Sequence, residues 1–232
     1  MASPPHRERA DARPRPAVAG ARPTAGAGHP VLEPARDARP LRERAREVLE
    51  VPGPASVATV VRGLGVLTAL SVVAALPWGV VGLSLMALVL LGVTLARVVR
   101  LYGGLQLLLD VTLLVAAWAA LLQLYQRWWW LDVVVHVVAT GLLTVLAVVL
   151  LARTGLLPTP ASRRTERLRL GAVALAAGLA LAVVWELGEW AGHTYLDPEI
   201  YVSAVDTVGD LAAGVLGAAV AAWWLATRRV VP

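Results

Sequence analysis

From Val57 onward the chain alternates long apolar stretches with short polar breaks. Six stretches reach the roughly 20 apolar residues that a helix needs to cross a bilayer: 57–77, 79–97, 105–125, 131–151, 169–191 and 207–226. Arg62 shortens the clean core of the first, and its long stem allows it to snorkel to the surface. The LPWG sequence at Leu76–Gly79 predicts a tight turn into the second. Residues 1–50 differ: PPHRERADARPRPAVAGARPTAGAGHP has no apolar periodicity and cannot bury a core. The expected fold is all-α, a polytopic bundle of about six transmembrane helices (51–232) behind a disordered Pro/Arg/Ala-rich tail (1–50). Within the tail, Arg39–Glu50 has the pattern of a short amphipathic surface helix. The tail reads chiefly as a solvated segment, with binding to anionic headgroups as the sharper alternative. It lacks the apolar h-region of a secretory signal.

Composition agrees with a membrane protein: 58% hydrophobic residues, 16% charged, and a mean hydropathy of +0.67. The absence of cysteine excludes disulfides, zinc–thiolate sites and thiol nucleophiles. Lysine, asparagine and phenylalanine are also absent, which reads as GC-rich bacterial coding. The net charge of +5 is therefore carried by arginine, and its placement argues against nucleic-acid binding. Arg97 and Arg100 lie between spans two and three, and Arg153, Arg163, Arg164, Arg167 and Arg169 between four and five. Arg228 and Arg229 end the chain, while the alternate loops hold only Arg127. The positive-inside rule then puts both termini in the cytoplasm of a bacterial inner membrane. Trp78, Trp128, Trp129, Trp130, Trp190, Tyr195 and Tyr201 fall at the opposite interface, with Trp223 and Trp224 on the inner one.

Against this topology, the ionisable residues inside the apolar stretches stand out, because charge in lipid is costly and by default marks function. Asp132 and His136 are i, i+4 in span four; Glu186, Glu189 and His193 are i, i+3, i+7 in span five; Asp206 and Asp210 are i, i+4 in span six. Each set shares one helix face, and all seven fall in the outer half of the membrane. Ala213, Gly214 and Gly217 continue the acidic face of span six, which makes it the expected packing face. Five carboxylates this close require either protons or a cation, and no arginine is well placed to pair with them.

A divalent metal is the first remedy. Imidazole with carboxylate oxygens suits zinc, manganese or iron, and a mostly carboxylate set suits magnesium or calcium. The expected ligands are Asp132, His136, Glu186, Glu189, His193, Asp206 and Asp210, with Glu186, Glu189 and Asp210 also as acid/base groups. Blander readings stand beside this one. His136 alone could be an interhelical hydrogen-bonding residue. Asp132 and Asp206, at span starts, could be N-caps. His193 could simply be solvated, and Asp110 reads as isolated and structural. Gln123 and Tyr125 end span three and could hydrogen-bond to the site. No phosphate loop, GxSxG elbow or HExxH is present, so Ser203 near His193 and Asp206 is weak evidence for a nucleophile.

DxxxH at Asp132–His136, WExxEW at Trp185–Trp190 and DTxxDLxxxxxGA at Asp206–Ala218 together resemble the YjdF-like family of uncharacterised bacterial inner-membrane proteins. The wider layout is similar to the VanZ-like proteins. One departure is Gly214, where such proteins often carry asparagine. The resemblance implies an integral membrane protein and no particular activity. The residues themselves point first to a metal-dependent enzyme acting on a lipid-linked or envelope substrate from within the bilayer. A proton- or cation-coupled transporter and a non-enzymatic membrane scaffold are the alternatives.

Overall fold

A computed structural model describes residues 50–157 and 164–227. Residues 1–49 of the tail, Arg163, Arg228 and Arg229 lie outside the described residues. Six long helices account for most of the rest: α1 (Ala55–Ala74), α2 (Gly79–Val98), α3 (Gly103–Leu121), α4 (Trp129–Arg153), α5 (Arg164–Tyr195) and α6 (Ala204–Thr227). Each is long and apolar enough to cross a membrane, as the hydrophobic pattern predicts.

Two boundaries differ from expectation. The apolar pattern carries span three to 125, but α3 ends at Leu121, because Gln123 takes a left-handed conformation (φ 53°, ψ 35°) that stops the helix. A short helical turn, Leu124–Arg127, follows, held back onto α3 by the Tyr125 hydroxyl donating to the Ala116 carbonyl at 3.0 Å. Span five is longer than its apolar core, since α5 begins at Arg164 and runs on to Tyr195. At 1.5 Å per residue its 32 residues exceed the ~30 Å hydrocarbon layer, so both ends reach the headgroup zone. The predicted LPWG turn is present as a single 3-10 turn, Leu76–Trp78, closed by Gly79 at φ 57°, ψ −135°, which only glycine adopts readily.

The helices pack as two consecutive triplets. In α1–α3, α2 runs antiparallel to its neighbours: Arg97 meets Val61, and Gly92 lies against Leu113. Trp118 donates to Ser71 Oγ at 3.2 Å, placing α1 and α3 parallel, and Trp78 donates to the Leu121 carbonyl at 2.8 Å. In α4–α6 the pairs Gly141–Gly217 and His136–Asp210 make α4 and α6 parallel. Gly178 on Ala218 and Ala182 on Gly214 make α5 antiparallel to both. These contacts are between small residues, so the backbones approach closely. The face of α6 that carries Asp210 also buries Ala213, Gly214, Gly217 and Ala218, as its spacing predicts. A common apolar core of Ala96, Leu109, Leu146, Val149, Leu170 and Leu225 joins the triplets.

Arginine marks one end of the bundle (Arg62, Arg97, Arg100, Arg153, Arg164), where Trp223 and Trp224 also lie, and the other tryptophans lie toward the opposite end with Arg127. Trp128, Trp129, Trp130, Trp190, Tyr195 and Tyr201 are all exposed at that second end.

Candidate functional site

The acids and histidine come together inside the second triplet, toward its tryptophan-bearing end. Asp132 lies in the first turn of α4, and His136 stands one turn further in on the same face. Glu186 and Glu189 project from α5, and Asp210 from the second turn of α6. Asp210 is only 5% exposed and Glu186 9%. The helices meet here because glycine and alanine fill the crossings one to two turns deeper.

Distances define two overlapping groups. Asp132, His136 and Asp210 each offer a ligand atom, all within 4.8 Å of one another; so do Glu186, Glu189 and Asp210. Asp210 belongs to both. His136 Nδ1 lies 2.9 Å from Asp210 Oδ1 and 3.4 Å from Asp132 Oδ1. Despite this proximity the buried nitrogen does not meet the geometry of a directed hydrogen bond. A cation bonded at about 2.1 Å spaces its ligands roughly 3–4 Å apart, so small side-chain shifts would close either group on an ion. The donor set, one imidazole nitrogen with carboxylate oxygens, is one that a divalent metal accepts.

The surroundings sharpen the electrostatics. Among the described residues no arginine touches these acids: Arg127 stacks 5.8 Å over the Trp128 ring, and Arg100 pairs with Glu50 at 3.6 Å. Tyr125, on the turn between α3 and α4, is half-buried beside the cluster. Burial first, then the charges of Asp132, Glu189 and Asp210, push its phenol above its ordinary range. It stays protonated and, with its proton on the Ala116 carbonyl, offers the cluster an oxygen acceptor. The Thr207 hydroxyl stands beside Glu186, a partner that the charge pattern alone did not single out.

The family comparison covers this region. The family described as "Predicted membrane protein (DUF2238)" matches residues 56–230, the whole bundle. The chain belongs to the DUF2238 family. No curated protein and no solved structure matches it.

Other expected site residues of this DUF2238 protein fall elsewhere. His193 is not in either group: its Nδ1 donates to the Ile200 carbonyl at 2.7 Å, tying the α5–α6 connection to α5. Asp206 shares the face of Asp210 but lies one turn out, beyond the ligand groups. Neither Asp132 nor Asp206 is an N-cap. Trp128 occupies that position on α4, and on α6 the Ser203 hydroxyl accepts the Asp206 N–H at 3.2 Å. Ser203 is thus a helix cap. Gln123 is exposed and serves to end α3. Gly214 stands where a Cβ would press on Ala182 Cβ at 2.9 Å, so close packing of α5 on α6 occupies this position. Asp110 is not isolated: it shares a buried setting with Gln106 and Arg97, which the apolar pattern hid.

Proposed function

We propose that this membrane protein binds a divalent metal ion through Asp132, His136, Glu186, Glu189 and Asp210. The bound ion would serve a metal-dependent reaction on a lipid-linked or envelope substrate at the outer leaflet. The supporting observation is Asp210, common to two ligand groups and in contact with an otherwise unpaired imidazole nitrogen. The imidazole favours zinc, manganese or iron over magnesium or calcium. A metal here would polarise a phosphoryl or carbonyl oxygen, or activate water. The chain's own groups supply the rest: Glu189, the less buried of the two α5 acids, faces the cluster as a proton carrier, and Thr207 orients Glu186. The arginine distribution supports a cytoplasmic position for the arginine-bearing end, which puts the cluster on the extracytoplasmic side. The YjdF-like motifs coincide with these helices but carry no activity of their own.

The test is elemental analysis of the purified full chain by mass spectrometry. A near-stoichiometric transition metal is expected, lost in His136→Ala and Glu186→Gln variants that still elute as monodisperse protein. Metal no higher than in a matched membrane-protein control overturns the reading.

A further inference from the structure

The first triplet holds a second set of buried polar groups, remote in chemistry from the acid/histidine cluster. Gln106 and Asp110 lie i, i+4 on α3 and are each 1% exposed. Arg97 stands in the last turn of α2 and lies between α1 and this pair. Its Nη2 donates to the Val61 carbonyl on α1 at 3.1 Å, and its charge acts on Asp110. Gly65 makes room for the guanidinium, since a Cβ there would strike Arg97 Nη2.

Five polar atoms in this setting have no partner among the described residues: Arg97 Nε, both amide atoms of Gln106, and both carboxylate oxygens of Asp110. Leaving each one unpaired in an apolar interior is costly, and more so where it is charged. Charge balance selects what would satisfy them. The guanidinium and the carboxylate are of opposite charge, so an added cation or anion would leave net charge in the bilayer. What remains is a mixed set of N–H donors and oxygen acceptors, which a molecule that both donates and accepts would bridge.

Open space lies at the arginine-bearing end. A cavity of about 320 Å³ there is lined by Glu50, Val51, Pro52, Ala58, Arg62 and Arg100. Ala58 lies one turn of α1 from Val61, whose carbonyl holds Arg97. Gly103, one turn from Gln106, donates to the Pro52 carbonyl at 2.7 Å. The cavity thus adjoins the start of α1 and the start of α3, which hold Arg97 and carry Gln106, and its volume accommodates several waters at about 30 Å³ each.

We propose that Arg97, Gln106 and Asp110 form an internal hydrated site, in which water admitted from the arginine-bearing end bridges the guanidinium to the carboxylate. The site makes Asp110 a group that exchanges protons with that face of the membrane. It rests on neither the metal nor the substrate proposed for the other triplet.

The cysteine-free chain allows a direct test. Gln106→Cys and Asp110→Cys, each in the full chain and checked for monodisperse elution, are treated with 2-aminoethyl methanethiosulfonate, which reacts with the thiolate and so requires water at the sulfur. Leu109→Cys, equally buried on the same helix, is the dry control. Labelling at 106 or 110 at least tenfold faster than at 109 is expected. Rates equal to that of the control at whichever of the two positions folds would overturn the proposal.

Discussion

Gly217 sets the distance between α4 and α6, because a Cβ on it would land on the Val137 carbonyl oxygen, which is part of the backbone and cannot move aside. Overpacking of this kind costs about 1–3 kcal/mol. Gly217→Ala should therefore lower the Tm in detergent, whereas Gly188→Ala, with nothing within 4 Å of its Cβ position, should leave it unchanged. Equal melting of the two variants would mean that this crossing does not hold the site together. His193 makes the opposite kind of prediction. Its bond to the Ile200 carbonyl is a local tie, so His193→Ala should cost on the order of 1 kcal/mol of stability and leave the metal content unchanged. Loss of metal on that substitution would restore His193 to the ligand set. Spacing on α5 placed His193 on the face of Glu186 and Glu189; the competing carbonyl at Ile200 comes from a loop whose path no periodicity encodes.

At the level of the helices, the spans were legible because the length of an apolar run is itself the physical requirement for crossing lipid. Their ends were less so. α3 stops at a left-handed Gln123 with no glycine or proline to announce it, and α5 outruns its apolar core because Arg164–Arg169 and Glu189–Tyr195 are helical without being hydrophobic. The ends also carry the orientation. Leu156, in the α4–α5 connection, and Glu199, in the α5–α6 connection, are both exposed. The single-cysteine variants Leu156→Cys and Glu199→Cys should differ toward a membrane-impermeant maleimide added to intact cells. The Glu199→Cys variant should label directly, and the Leu156→Cys variant only after permeabilisation. The reverse pattern would invert the topology and put the acid/histidine cluster on the cytoplasmic side.

Across the whole molecule, the candidate site was legible as far as residue type and face allow. Asp132, His136, Glu186, Glu189 and Asp210 were visible as costly residues at one depth, and the fold brings these five together. What could not be read was which of them stand within ligand distance of one another, since that depends on the α4–α6 crossing at Gly141 and Gly217. Arg97 and Asp110 escaped pairing for a similar reason: Arg97 sits at a span end, where an arginine is expected to face the headgroups, and only packing turns it inward. Binding of the proposed metal to the five-residue cluster would displace protons from its ligands, so occupancy should fall as pH is lowered. Titration calorimetry in buffers of different ionisation enthalpy should show proton release on binding. A heat independent of buffer would mean that the ligands are already unprotonated and would count against a proton-sharing cluster.

The two triplets have one further consequence. α1–α3 and α4–α6 traverse the bilayer in opposite senses, so a half-turn about an axis in the membrane plane carries the helix directions of one onto those of the other. In each triplet a pair of polar residues four apart occupies the first two turns of the third helix: Gln106 and Asp110 on α3, Asp206 and Asp210 on α6. The same local arrangement thus recurs upside down, with one polar pair toward the arginine-bearing end and the other toward the tryptophan-bearing end.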